Sequence, residues 1–154
     1  MRRHRGQVAL PGGKRDATDT SGLETALRES EEEVGFSREA IDVLGGLREL
    51  STTTGFVVTP FVGWLHDDVT AHPNPDEIAR AFCVPLSEFG YPEPRPRLFR
   101  GRGLTRIAPS YLVDGELVWG ATAKIIGELA SIVRSVLSGQ SSRSRQSGHL
   151  RRLW

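Results

Sequence analysis

The segment LPGGKRDATDTSGLETALRESEEEVGF, residues 10–36, constrains the fold more than any other stretch of the chain. Ser21 and Glu24 stand at capping-box spacing, in which the serine hydroxyl accepts the amide three residues on, so a helix is expected from about Gly22. Leu23, Leu27, Ser30 and Val34 recur at helical spacing as one inward stripe, and Gly35 supplies the stop. The closing turns then carry Glu29, Glu31, Glu32 and Glu33. The helix dipole is negative at that end, and like charges three and four residues apart repel, so a neutralising partner is called for.

Glu29, Glu32 and Glu33 are related as i, i+3 and i+4, which brings their side chains to one face, while Glu31 points elsewhere into solvent. Three convergent carboxylates suit a hard divalent cation such as Mg2+ or Mn2+. The plainer alternative is a solvated acidic face paired with neighbouring arginines. The Gly12-Gly13 pair just ahead lets the backbone bend sharply and offer carbonyls or amides to a ligand.

At 154 residues, 38% hydrophobic, 25% charged and with a net charge of +1, the chain reads as one ordinary globular domain. That balance gives no whole-chain case for nucleic-acid or membrane binding. A lone cysteine, Cys83, excludes an internal disulfide and fits a reducing compartment. Its apolar setting, AFCVPL, predicts a small buried hydrophobe. No apolar run reaches the length of a membrane span and MRRHRG lacks a signal peptide's apolar core, so a cytoplasmic protein is expected.

Along the chain, QVAL (residues 7–10) reads as a short strand entering the Pro-Gly-Gly turn. Residues 44–65 read as two strands joined at Thr54-Gly55. EIARAFCVPLSEF, from Glu77, reads as another strand with a short turn, and residues 91–103, rich in Pro, Gly and Arg, as an irregular loop. SYLVDGELVWG is a hairpin turning at Asp114-Gly115. A last helix is expected over residues 121–137, with Ile125, Ile126, Leu129, Ile132, Val133 and Val136 as its apolar face. One domain over 1–137 is therefore predicted, followed by a disordered basic tail over 138–154, whose Leu150–Trp154 end is a secondary docking candidate.

The stretch from Gly13 to Phe36 resembles the Nudix box, G-x5-E-x7-R-E-U-x-E-E-x-G-U with U aliphatic. Its second half matches Arg28-Glu29-Ser30-Glu31-Glu32-Glu33-Val34-Gly35-Phe36, with Ser30 and Phe36 in aliphatic slots. In the first half Asp19 fills the acidic slot, and the gap to Arg28 is one residue too long. HRGQVALPGGKRDATD (residues 4–19), TTGFVVTPFVG (53–63) and VWGATAKII (118–126) resemble the coenzyme A pyrophosphatase branch, whose box carries the same Asp and the same insertion.

That resemblance implies an α/β (α+β) fold, an α/β/α sandwich around a mixed sheet, and metal-dependent hydrolysis of coenzyme A or acyl-CoA to 3′,5′-ADP and 4′-phosphopantetheine. It implies Glu29, Glu32 and Glu33 as metal ligands, helped by the Gly13 carbonyl, with Arg28 orienting a carboxylate. The general base is left between a box glutamate and Glu77, and Glu77 could equally be an exposed loop charge. Gly12, Gly13 and Lys14 are candidates for substrate contact. For the 3′-phosphate, Arg2, Arg3 and Arg5 beside His4, and Arg95, Arg97, Arg100 and Arg102, are candidates. Phe56 is placed between contact with substrate and core packing. Other substrates (a nucleoside triphosphate, ADP-ribose, a dinucleotide) and a non-catalytic binding module remain alternatives.

The resemblance also implies two or three strands ahead of the glycine pair, whereas only MRRHRGQVAL precedes it. An N-terminally truncated domain, short by about forty residues, is therefore expected. Its sheet would expose an edge and part of its core. Instability, a homodimer made by strand exchange, or weakened catalysis are the outcomes open to such a form.

Overall fold

A computed structural model describes residues 7–52, 55–66, 69–89, 94–101 and 104–139. Helix α1, Gly22–Val34, starts and stops as its local chemistry dictates. Ser21 is extended and its Oγ accepts the Glu24 amide at 3.2 Å. Gly35 closes the helix at φ 75°, its amide donating to the Glu31 carbonyl at 3.0 Å. A Cβ there would also lie 3.0 Å from His72 Cβ and 3.1 Å from the His72 carbonyl, so glycine serves both the turn and the close approach of the following loop. Of the expected inward stripe Val34 is buried, whereas Leu23, Leu27 and Ser30 are half-buried.

The apolar stretch after α1 is a hairpin in which each arm is broken. Strand β1 (Ile41–Gly46) pairs antiparallel with β4 (Phe61–Leu65), and β2 (Leu50–Ser51) pairs with β3 (Val57–Val58). The register slips between Val43 and Gly45, and Pro60 has no amide to donate, so the ladder lapses between the two pairs. The Leu47 amide bridges the gap to the Pro60 carbonyl at 2.9 Å.

Three expectations for individual segments are overturned. Residues 7–10 form no strand; Val8 packs against the core and its carbonyl accepts from Thr122 Oγ1 at 3.2 Å. Residues 78–85 also lack a ladder partner, and a 3-10 turn, Leu86–Phe89, follows. Arg80 holds this segment by pairing with Asp114 and Glu116 and by lying over the Phe82 ring. Cys83 is exposed rather than buried, because without a strand nothing fixes alternate side chains inward. The predicted 91–103 loop contains a real strand, β5 (Arg95–Gly101), paired along its length with β6 (Leu104–Val113). It tolerates Pro96, opposite Pro109, because β5 is an edge strand.

Strand β7 (Glu116–Trp119) completes the antiparallel sheet β5-β6-β7 through the turn Asp114-Gly115, both residues at positive φ. Helix α2, Gly120–Leu137, follows at once. The core consists of Phe89, Tyr111, Val113, Val118, Ala123 and Ala130, with Ile126 packed against it. Burial on α2 thus centres on small alanines, while Val136 and Leu137 at its end stay exposed. The fold is α/β in class. Where one mixed sheet was expected, every pairing among the described residues is antiparallel and falls into three small sheets. Among the described residues no helix is long and apolar enough to cross a membrane.

Candidate active site

Arg28, in the middle of α1, organises the acidic end of the helix. Its Nε and Nη2 each donate to the Asp19 carboxylate at 3.1 Å. Nη1 reaches Glu32 Oε2 and Nη2 reaches Glu29 Oε1, both at 2.9 Å, and Nη2 also meets the Lys14 carbonyl at 3.3 Å. Asp19 is buried and accepts two further bonds, from Thr25 Oγ1 at 2.9 Å and from the Asp16 amide at 2.8 Å. The guanidinium first, then that amide, hold its carboxyl well below the usual carboxylate range. Arg15 clamps the Asp19 and Thr20 carbonyls, so the loop with the extra residue folds around the Asp19 carboxylate.

The Pro-Gly-Gly turn closes over the other side of the cluster. Glu33 Oε2 accepts the Gly12 amide at 3.0 Å. Gly13 passes so close to Glu29 that a Cβ would fall 2.3 to 2.6 Å from its carboxylate atoms. Burial pushes the Glu33 carboxyl up, and the charges of Glu29, Glu77 and Glu32 push the same way against the Gly12 bond.

Glu77 contributes to this field because its loop is pinned to the end of α1. The His72 amide donates to the Val34 carbonyl at 2.8 Å and the Asn74 amide to the Glu33 carbonyl at 2.9 Å. The Asn74 carbonyl then accepts the amides of Glu77 and Ile78. Carbonyls that the helix leaves without partners thereby position a fourth carboxylate. Lys14 Nζ lies 5.0 Å from the centre of the Phe56 ring, so two substrate-contact candidates meet beside the glycine turn.

The carboxylates are not drawn round a single point. Among the described residues no group of three acidic, histidine or cysteine side chains is close enough to hold an ion, because Arg28 takes one oxygen each from Glu29 and Glu32. The donor set nevertheless fits a hard divalent cation. It offers oxygen ligands only, and mutual repulsion with partial burial disfavours ionised Glu33, a penalty a cation would relieve. Glu29, Glu32 and Glu33, with the Gly13 carbonyl, are the groups that would hold it.

Gly13→Ala should fold normally, since the clash is with the flexible end of Glu29, yet displace that carboxylate. An expected loss of about 10–100-fold in manganese affinity, with an unchanged melting temperature, would be read by calorimetric titration and thermal melts. For Glu33 the linkage sign is set by its raised pKa. The folded state binds that proton more tightly than the unfolded chain. Its contribution is full below the unfolded value and is lost as pH rises through the folded one. In chelator, Glu33→Gln should therefore raise the melting temperature relative to wild type more at pH 7 than at pH 4.

Sequence reasoning named Glu77 but passed over Thr25, Arg15 and the His72 and Asn74 backbone bonds that pin the Glu77 loop. Only Thr25 left a signal, as a polar residue one helical turn before Arg28. Glu31 is exposed, as expected. Arg95 and Arg97 lie exposed on β5, and among the described residues no bond joins either side chain to the cluster; the Arg100 side chain lies outside what the structure describes. Arg2, Arg3, His4, Arg5, Arg102 and residues 140–154 lie outside the described residues.

Comparison with known proteins identifies the family of the chain. The NUDIX domain family model matches residues 1–103. The chain is 42% identical over 139 residues to a protein of Yersinia enterocolitica named uncharacterized Nudix hydrolase NudL, covering 86% of this chain and 69% of the relative. Proteins of the same name from Photorhabdus laumondii and Pectobacterium atrosepticum are 41% and 45% identical over 140 and 132 residues. These matches cover 87% and 84% of this chain, and 72% and 68% of the relatives.

Proposed function

The chain belongs to the Nudix domain family, and on that premise we propose that it hydrolyses the diphosphate of coenzyme A or an acyl-CoA to 3′,5′-ADP and 4′-phosphopantetheine. The observation that carries the hydrolytic reading is the Arg28 hub, which holds Glu29 and Glu32 beside Glu33 under the Gly12-Gly13 turn. Support for coenzyme A comes from Asp19. The residue that sets HRGQVALPGGKRDATD apart from the general box is the buried carboxylate that anchors Arg28.

A divalent ion, Mg2+ or Mn2+, would supply charge neutralisation of the diphosphate and a more acidic water. The remaining work falls to side chains of this chain. Water attacks one phosphorus, the bond from that phosphorus to the bridging oxygen breaks, and the other phosphate leaves. Glu33, whose Oε2 is fixed by the Gly12 amide, is placed to take the water's proton. Glu77 adds negative charge to the field around Glu33 from its loop. Lys14, beside Phe56, supplies a cation for a phosphate oxygen at the mouth of the site.

The test is product analysis. Protein incubated with coenzyme A and manganese should give two products by mass spectrometry, 3′,5′-ADP and 4′-phosphopantetheine. Turnover of ADP-ribose or a nucleoside triphosphate, with coenzyme A untouched, would keep the hydrolase and discard the substrate.

A further inference from the structure

A cavity of about 440 Å³ lies between α2, β6 and the turn ending at Phe89. None of its lining residues comes from α1 or the glycine turn. Its apolar wall is Phe89, packed edge-on to Tyr111 with ring centres 5.2 Å apart, together with Pro109. Lys124, Gly127 and Arg134 follow one another at spacings of three and seven along α2, so they share its cavity-facing stripe.

Tyr111 is the informative residue. It is only 8% exposed, and among the described residues no hydrogen bond reaches its hydroxyl. Among the described residues no fully buried side-chain polar atom lacks a partner, so this hydroxyl is reached from the cavity rather than sealed in the core. The helix makes room for it. A Cβ at Gly127 would stand 2.8 Å from Tyr111 Oη, so only glycine lets the hydroxyl lie against α2 and face the opening. A donor in an apolar wall, beside the Lys124 ammonium and with no carboxylate among the described lining residues, has the chemistry of an anion site.

We propose that this cavity is a second binding site, separate from the hydrolytic centre, for a small organic anion whose ring packs on Phe89 and Pro109. Its phosphate or carboxylate accepts from Tyr111 Oη and pairs with Lys124. The acidic cluster is the wrong sign for such a ligand in the absence of a cation, and substitutions at Lys124 and Tyr111 separate the cavity from the Lys14–Phe56 pair beside the hydrolytic centre.

Phenyl phosphate, followed by ligand-observed NMR in chelator, should bind saturably and about tenfold more tightly than inorganic phosphate, through burial of the ring. Lys124→Gln and Tyr111→Phe should each weaken it by about tenfold, and Gly127→Ala should weaken it by crowding the hydroxyl. Absence of saturable binding to wild type would overturn the proposal, as would wild-type affinity in both Lys124→Gln and Tyr111→Phe. Equal affinity for inorganic phosphate would overturn the ring subsite. If Tyr111→Phe fails to fold, Lys124→Gln, at an exposed helix position, decides alone.

Discussion

Glu32→Gln is expected to lower turnover by roughly 10³-fold or more at saturating manganese. The substitution keeps the side chain's shape and removes one negative charge from the group that would face the cation. Glu32 is 56% exposed at its side chain, so the fold loses little, and a stability change within about 0.5 kcal/mol is expected. Loss of turnover with an unchanged melting temperature therefore separates a chemical role from a structural one. Wild-type turnover in this variant would remove the carboxylate cluster from the mechanism.

Arg28→Lys should be nearly as damaging as Arg28→Met, although it keeps the charge. The guanidinium satisfies two oxygens of Asp19, one each of Glu29 and Glu32, and the Lys14 carbonyl in a single planar arrangement. An ammonium is a point charge with no such fork, and cannot span those partners. Without the fork, the buried Asp19 carboxylate loses its principal partner and the two glutamates lose their common anchor. Manganese affinity should fall by about 10–100-fold in both variants, and the melting temperature should drop. The Asp19 contribution also has a definite sign with pH. Its carboxyl is held below the ordinary aspartate range, so the stability it provides is present above that range and lost as the pH falls through the folded value. Arg28→Met should accordingly show a shallower loss of stability on acidification than wild type. Full metal affinity in Arg28→Lys would show that charge alone, not the fork, positions the ligands.

Residues near in sequence were read well. The Ser21 cap, the Gly35 stop and the Asp114-Gly115 turn each depend on backbone preferences and bonds spanning a few residues, and each is found where expected. That Glu29, Glu32 and Glu33 share one helix face is likewise a consequence of helical repeat, although they are not drawn round one point. Strand β5 is illegible locally because Pro94 and Pro96 argue against a strand, while the pairing that makes it one lies with β6. Residues 78–85 failed in the opposite sense. Their apolar composition suits a strand, but their anchors are Arg80 contacts to the β6–β7 turn.

The sequence alone determined helix α1, its two ends and the acidic face it presents, because a helix is specified by bonds four residues apart and by spacing along one chain. Only the tertiary structure decided what that face can do. It set Asp19 under Arg28, laid the Gly12 amide on Glu33, pinned the 72–78 loop to bring Glu77 into the field, and opened a cavity behind Tyr111. Those are contacts between separately folded segments. Their geometry is fixed by which backbone groups and charges still need partners once each segment has formed.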